Sequence, residues 1–230
     1  MTQEIKKGDF VEVEFVGKLK ETGDVVDTNI REAAQKHGIL NPDGNYDTVV
    51  ACIGSKQLMP GIDDGLVGKH MGAYTFELKP EQGFGRKNPK LIQLIATSKF
   101  TSQQIMPQVG LHVDVDGMRG VVRTVTGGRT IVDFNHPLSG KEVIYDVTVK
   151  KIITDEKEKL HAVIEKHLGI KDFTIEINGS HAKVIVSKEI PPELGKQISF
   201  QIVRMITSLT NIDFVHKDSE KLKESPDATA

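Results

Sequence analysis

Residues 53–85 read IGSKQLMPGIDDGLVGKHMGAYTFELKPEQGFG, and this stretch decides which fold the sequence predicts. Gln57–Leu66 can form a short helix interrupted by glycines, and Ala73–Leu78 reads as a strand. The stretch ends in an aromatic residue followed by glycine, Phe84-Gly85. A short helix followed by a strand and a turn indicates a domain of mixed α and β structure.

Strands are predicted on both sides of this stretch. Phe10–Val16, FVEVEFV, alternates apolar residues with glutamates, which is typical of a half-buried strand. Thr48–Ile53 is a short apolar run and reads as a buried strand, whereas residues 17–47 are rich in turn signals and are predicted to be loop-rich. Val143–Ile153, VIYDVTVKKII, resumes a long strand with a period of two.

The segment 87–139 has a different texture and predicts a small β-rich module. A short polar helix is expected to begin at Thr101 and to end before Pro107. Asp116-Gly117 and Gly127-Gly128 are hairpin signals. They separate three β-rich runs, which are Leu111–Val115, Gly120–Val125 and Thr130–Phe134.

Residues 155–216 predict a unit with the element order α-β-β-α-β. Thr154 or Asp155 can cap a first helix that Gly169 ends. Asn178-Gly179 turns a hairpin, Pro191-Pro192 opens a second helix, and a last short strand follows. The charged tail after residue 216 is expected to be disordered.

Three stretches resemble FKBP-type peptidyl-prolyl cis/trans isomerases, in the order of that family. They are VEVEFVGKLKETGDVVDTN at 11–29, the stretch 53–85 quoted above, and NHPLSGKEVIYDVTVKKI at 135–152. The third stretch resembles the long, SlyD-like branch, which carries an inserted chaperone domain, and the C-terminal extension resembles that of long archaeal members. The resemblance implies an α+β fold, with an FKBP-like antiparallel β half-barrel around a short helix. The expected domains are 1–86 with 140–154 for the isomerase, 87–139 for the insert, and 155–230 for a separate C-terminal α+β domain.

The resemblance also implies a pocket that holds a prolyl ring. The residues that match family positions are Asp27, Phe84 and Tyr145 as catalytic residues, and Phe15, Val26, Val49, Leu58, Met59 and Ile62 as substrate-binding residues. Ile62 takes the position of a tryptophan, while Phe84 and Phe15 take positions where the family has tyrosines. These departures remove polar groups from the pocket and leave it apolar.

Each of these residues also has a plainer interpretation. Met59 and Ile62, at helical spacing, are what core packing would produce, and Asp27 before Thr28-Asn29 fits an ordinary turn aspartate. Only their joint order favours the functional interpretation. The sequence leaves open whether Asp27 orients pocket groups or interacts with the rotating amide.

The insert combines apolar residues with positive charge. It contains six Lys/Arg and three Asp/Glu, with Leu91, Ile92, Leu94, Ile95, Ile105, Met106 and Val109. This pattern fits either a small core with a solvated face or a surface that binds unfolded chains. The two function hypotheses are therefore an isomerase coupled to client binding, and a non-catalytic chaperone that uses the pocket only for recognition.

Composition and motifs exclude several other classes. The chain is 38% apolar and 27% charged, with a net charge of −2, which is typical of a soluble globular protein. No signal segment or membrane span is evident, and the single cysteine fits a reducing compartment, so a cytoplasmic protein without membrane association is expected. The histidines lack metal-ligand spacing, so no metal and no cofactor are predicted. The run at 65–69 is not a phosphate-binding loop, because Asp63 stands where its first glycine belongs.

Two partner predictions complete the list. Nucleic-acid binding is not expected, because residues 155–230 contain eleven Lys/Arg against thirteen Asp/Glu and no GxxG loop. The expected partners are unfolded or partly folded polypeptides with X–Pro bonds. A homodimer through the C-terminal domain is also expected, because Phe200, Val203 and Ile185 lie off the main apolar stripes of a small domain.

Overall fold

The computed structural model describes residues 3–217, which contain five α-helices, twelve β-strands and two short 3-10 helices, Pro80–Gln82 and Pro89–Leu91. The helices are α1 (Arg31–Lys36), α2 (Pro60–Leu66), α3 (Thr97–Thr101), α4 (Glu156–Leu168) and α5 (Pro192–Met205). The strands are β1 (Phe10–Leu19), β2 (Val25–Thr28), β3 (Val49–Cys52), β4 (Gly72–Leu78), β5 (Ile92–Ala96), β6 (His112–Val115), β7 (Met118–Thr126), β8 (Arg129–Asp133), β9 (Val143–Ile153), β10 (Phe173–Asn178), β11 (His181–Val186) and β12 (Asn211–His216). The predicted α+β class is confirmed.

The first sheet has five strands in the order β2-β1-β9-β4, with β3 paired to β1 in antiparallel orientation. The alternation along β1 sorts its side chains between two faces. Val11 and Val13 are fully buried and lie opposite Ala51 and Val49 of β3. Phe10 and Cys52 lie opposite each other on the other face of this strand pair, and both side chains are buried as well.

The stretch 17–47, expected to be loop-rich, also contains β2 and α1, and the α1 sequence REAAQK consists of good helix formers. One prediction of local structure was wrong. The short polar helix of the insert ends at Thr101, where it was expected to begin. Gln104 adopts a left-handed φ of 61° and the N–H of Ile105 bonds back to the carbonyl of Phe100, so the chain turns before Pro107.

The insert forms a four-stranded antiparallel sheet in the order β5-β8-β7-β6. Its core is small and consists of Phe100, Val113, Val115, Val122 and Val132. Gly120 lies so close to this core that a Cβ atom there would be 2.6 Å from Cγ1 of Val132. β5 was not predicted as a strand, since its residues IQLIA are too few to distinguish strand from helix by periodicity.

The C-terminal elements follow the predicted order α-β-β-α-β. Asp155 caps α4 by accepting a bond from the N–H of Glu158, and Gly169 ends the helix with a φ of 63°. The strands are arranged β10-β11-β12, with β11 and β12 parallel. Their core also includes Phe10, Cys52 and Ile153, so the outer face of the β1–β3 pair packs with the C-terminal helices.

The contacts divide the chain into two units. The first comprises the residues up to Gly17, Val25–Phe76 and those from Asp146 onward, and the second comprises Lys18–Asp24 and Glu77–Tyr145. The division into three domains stays a prediction. Within residues 3–217, no helix has the length and apolar character that crossing a bilayer requires.

Candidate active site

The loop that presents Leu58 and Met59 is held by a buried aspartate. Asp63, on α2, is only 4% exposed. Its Oδ1 accepts a 2.9 Å hydrogen bond from the N–H of Gly54, and its Oδ2 accepts a 3.2 Å bond from the N–H of Lys56. Lys56 has a φ of 59°, which is unfavourable for a side chain-bearing residue, so these bonds hold a strained turn in place.

A glutamine attaches the same loop to its surroundings. The N–H of Cys52 donates to Gln57 Oε1 at 2.9 Å, and Gln57 Nε2 lies 3.4 Å from Met205 Sδ on α5. Leu58 and Met59 follow directly and are half-buried, and Pro60 then starts α2 at the position where its missing N–H costs nothing. Leu58 and Met59 are therefore presented from a loop fixed at both ends.

Helix α2 lies close beneath β4, with Ile62 and Leu66 buried. A Cβ atom at Gly65 would come within 2.5 Å of Cε1 of Phe76. Glycine is therefore required at position 65 so that α2 can pack closely on β4. Gly65 serves this packing and does not form part of a phosphate-binding loop. Ile62, the predicted floor residue, is 4% exposed. Its role as a floor stays a prediction.

The strand side of the first unit carries a second buried network. Asn29 is 5% exposed, its Oδ1 accepts from the N–H of Phe15 at 2.7 Å, and its Nδ2 donates to the carbonyl of Val13 at 2.9 Å. Thr28 Oγ1 donates to the carbonyl of Phe15 at 2.7 Å. The backbone at Phe15 is thus clamped to the end of β2, directly after Val26 and Asp27, which are half-buried.

In the second unit, Phe84 is held by a ring contact and by its backbone. Its ring stacks on His136, with centroids 4.9 Å apart and an angle of 4° between the planes. Ser139 Oγ donates to the carbonyl of Phe84 at 3.2 Å, and the N–H of Gly140 donates to that of Gly85 at 2.8 Å. The side chain of Phe84 is half-buried, so one part of the ring remains accessible.

Tyr145 lies in β9, where alternate residues are buried, and its own side chain is 1% exposed. The nine predicted residues therefore divide between the two units. Phe84 and Tyr145 belong to the second, and the first holds Phe15, Val26, Asp27, Val49, Leu58, Met59 and Ile62. Their assembly into one prolyl pocket stays a prediction.

Sequence reasoning missed four residues that support these positions, namely Thr28, Asn29, Asp63 and His136. Thr28-Asn29 carried a signal, since both residue types bond readily to nearby backbone. For Asp63, the sequence indicated only that its position is incompatible with a phosphate-binding loop. The stacking of His136 on Phe84 joins positions far apart in the chain, and no local pattern announces such a contact.

Two protein-family models match parts of this chain. The family model described as FKBP-type peptidyl-prolyl cis-trans isomerase matches residues 1–103. The model described as FKBP26, IF domain, matches residues 93–138, within the predicted insert.

Three named relatives cover different parts of the chain. The short-type peptidyl-prolyl cis-trans isomerase of Methanocaldococcus jannaschii is 32% identical over 155 residues, which are 67% of this chain and 98% of that protein. The FKBP-type 16 kDa peptidyl-prolyl cis-trans isomerase of Escherichia coli is 37% identical over 106 residues, 44% of this chain and 70% of that protein. The SlyD protein of Pasteurella multocida is 24% identical over 120 residues, 50% of this chain and 58% of that protein.

Proposed function

Because this chain belongs to the FKBP-type peptidyl-prolyl cis-trans isomerase family, we propose that it isomerises X–Pro bonds during protein folding and holds unfolded chains on its insert. The family is one of isomerases. Binding of unfolded chains by the insert is the further step, and it rests on the exposure of apolar side chains there.

The reaction requires no nucleophile and no metal. Rotation about a peptide bond is opposed by about 18–20 kcal/mol, because the nitrogen lone pair is delocalised into the carbonyl. The cis and trans X–Pro forms differ by only about 1 kcal/mol, so a catalyst has to lower the barrier alone. It does so by binding the twisted amide more tightly than either planar form.

An apolar pocket suits this task, since the twisted amide is less dipolar than the planar one and costs less to desolvate. We assign Phe84 and Tyr145 to packing against the prolyl ring, and Ile62 to the floor beneath it. Leu58 and Met59 contribute their backbone, which the bonds of Asp63 hold rigid. Asp27 is the one carboxylate among the nine predicted pocket residues.

The observation that carries the client-binding proposal is the exposed apolar surface of the insert. Of the twelve large hydrophobic residues that are exposed among residues 3–217, seven lie in the insert. They are Ile92, Leu94, Met106, Val109, Leu111, Met118 and Val125, and we call this set the client surface. Met106 and Val109 are more than 70% exposed, so core packing does not account for them.

The position of β5 strengthens this interpretation. β5 is an edge strand of the insert, and Ile92 and Leu94 on its open face are 43% and 59% exposed while Ile95 packs on the core. An open, apolar edge strand is normally protected, because it recruits other chains. Here six basic residues against three acidic ones give the insert a net charge of +3, which keeps such a surface soluble.

The experiment compares two substrates. Leu94→Ser, Met106→Ser and Val109→Ser are combined in one variant, and Met71→Ser, which removes a 49% exposed side chain outside the insert, is the matched control. Turnover of an X–Pro tetrapeptide should be unchanged in both. Catalysis of the refolding of a proline-limited protein should fall about tenfold or more in the triple variant alone, because local concentration of the substrate is lost.

Equal refolding rates in the triple variant and the control would refute the client surface. Absence of tetrapeptide turnover by the unaltered chain would instead favour the alternative, a chaperone that uses the pocket for recognition only.

We place the protein in the cytoplasm on the basis of its single cysteine, Cys52, which lies buried and unbridged.

We also propose a second copy of the chain as partner. Phe200 is 65% exposed and Leu194 is 42% exposed on α5. Phe200 borders a groove of about 470 Å³ that also involves Val203 and Phe214. A two-fold pairing would cover Phe200 and this groove with the same face of the partner copy.

A further inference from the structure

A groove of about 1150 Å³ lies in the first unit, and none of its lining residues belongs to the client surface. Its walls are β3 and β10, and one face of α4 lines it with Lys157, His161 and Ala162. Of the predicted pocket residues, only Val49 contributes to its lining. The groove is therefore largely separate from the prolyl site.

One wall of the groove is the open edge of β3, which pairs only with β1 among the described strands. The N–H of Cys52 points away from β1, because it donates to Gln57 Oε1 at 2.9 Å. Peptide groups alternate in direction along an antiparallel strand. Those of Val50, two residues earlier, therefore also point away from β1 and towards the groove.

The opposite wall is the open edge of β10, whose partner within residues 3–217 is β11. The turn between these strands has two residues, so Asn178 and His181 form a hydrogen-bonded pair. The alternation then directs the peptide groups of Phe173, Ile175 and Ile177 towards the open edge. This edge offers three N–H donors and three carbonyl acceptors in the spacing of a strand.

The floor of the groove is apolar and its rim is charged. Val50, Phe173 and Ile175 pack on the core and remain half-exposed, and the ring of Phe173 stacks on His161 at 4.5 Å. At one end Lys171 Nζ lies 3.0 Å from Asp47 and 3.4 Å from Glu165, which ties the starts of β3 and β10 together.

The charges of the lining are balanced. The acidic residues are Asp47, Glu158 and Glu165, and the basic ones are Lys157, Lys166 and Lys171. A lining of three charges of each sign does not select a strongly charged ligand. Open main-chain edges and an apolar floor instead match an extended polypeptide, whose backbone supplies bonds of any sequence.

We propose that this groove binds an extended segment of a client polypeptide, which adds to β10 as a fourth strand and covers Val50 and Phe173. The proposal rests on the proposed function for the identity of the partner as an unfolded polypeptide. The chain's own residues 218–230, DSEKLKESPDATA, fit the groove poorly, because they contain a single large apolar residue. Such a site would hold a client near the isomerase without the insert.

The test uses a proline-free peptide, acetyl-Lys-Val-Thr-Val-Glu-Val-Thr-Lys-amide, labelled with fluorescein and titrated against the full chain by anisotropy. Ile175→Pro removes one edge N–H while leaving the ladder to β11 intact. We expect it to weaken binding about tenfold, as the loss of a hydrogen bond and a contact would. Ile175→Val keeps the N–H and should bind within about twofold of the unaltered chain.

Hydrogen exchange of the unaltered chain gives a readout that does not depend on the variant. The amides of Phe173, Ile175 and Ile177 should exchange fast in the free chain and slowly with the peptide. Equal affinity of both variants, or protection confined to 87–139, would overturn the proposal. The proposal would also fall if these amides exchange slowly without peptide. Loss of that protection on dilution would indicate that a second copy occupies the edge, and its loss on removal of residues 218–230 would indicate that the tail does. Tetrapeptide turnover, measured separately, tests the proposed function itself.

Discussion

The Oδ1 atom of Asp63 lies 2.9 Å from the backbone nitrogen of Gly54, and the other carboxylate oxygen bonds the N–H of Lys56. The aspartate is nine residues further along the chain and belongs to α2, whereas Gly54 begins the loop that carries Leu58 and Met59. A buried carboxylate thus connects the helix under the predicted pocket to the loop beside it. Both donors are backbone groups, so Asp63 is the one side chain whose substitution would remove these two hydrogen bonds.

We predict that Asp63→Ala lowers both stability and isomerase activity. It removes two hydrogen bonds from part-buried backbone N–H groups to a carboxylate, which costs about 1–3 kcal/mol in the free energy of unfolding. Asp63→Asn keeps one acceptor oxygen and should lose about half as much. Urea unfolding followed by circular dichroism, and kcat/KM on an X–Pro tetrapeptide, measure the two effects. Stability that is the same in all three proteins would mean that the loop does not need this anchor.

The two predicted ring residues should respond differently to truncation. Phe84→Ala is expected to reduce kcat/KM at least about tenfold with a small loss of stability, because its ring is only half-buried. Tyr145 is 1% exposed, so Tyr145→Ala should cost about 3–5 kcal/mol in stability as well. Tyr145→Phe preserves the packing and isolates the hydroxyl. His136→Ala is the control for the stacked partner of Phe84, and it should affect activity less than Phe84→Ala.

If Phe84→Ala and Tyr145→Ala both retain full activity while remaining folded, the assignment of the pocket residues is wrong. A loss in Phe84→Ala that is matched by His136→Ala would assign the effect to the position of the 84–85 turn.

The insert should lose stability in acid because of Asp133. Burial of this side chain, which is 3% exposed, opposes its ionisation. Hydrogen bonds from Asn135 and Arg123 nevertheless lower its pKa from 3.8 to about 2. The folded state therefore favours the ionised form, and the resulting stabilisation of about 2 kcal/mol is present above pH 4 and is lost as the pH falls towards 2.

Asp133→Asn should flatten this dependence in hydrogen-exchange measurements on the amides of β7 and β8 between pH 5 and pH 2. Asp116→Asn is the matched control, since Asp116 forms an exposed ion pair with Lys99 and contributes little. A pH profile of Asp133→Asn that follows the unaltered chain would contradict the role of this carboxylate.

The proposed dimer is testable with a single exposed residue. Phe200→Ser should shift the full chain from dimer to monomer in light scattering at tens of micromolar, since an aromatic residue at an interface centre dominates binding. Val125→Ser, which changes an exposed side chain in the insert, should leave the mass unchanged. A monomer in the unaltered chain would refute the dimer, and a dimer that persists in Phe200→Ser would move the interface elsewhere.

Substitution is a better test here than removal of the C-terminal residues. Phe10, Cys52 and Ile153 share a core with α4 and α5. Removing the helices would uncover those three side chains and create a new apolar surface. Self-association of a shortened chain would then result from this newly exposed apolar surface and would not identify the native interface.

Short-range signals in the sequence were enough to predict the local elements. The alternation of FVEVEFV and VIYDVTVKKII predicted β1 and β9, Asp155 and Gly169 bounded α4, and Asn178-Gly179 closed a hairpin. The resemblance to the family rested instead on the residues of 11–29, 53–85 and 135–152, in the order of that family. Caps, turns and periodicity depend on residues within a few positions of one another, so they can be read from a single sequence.

The contacts between groups that are distant in the chain could be seen in the folded structure alone. The two bonds of Asp63, the clamp of Asn29 on Phe15 and the stack of His136 on Phe84 all depend on how separate segments pack. The same is true of the burial of Phe10 and Cys52. The alternation along β1 predicts one apolar face, but it does not predict that α4 and α5 pack on the other face. Such contacts are fixed by the mutual packing of many side chains, and no local pattern encodes them.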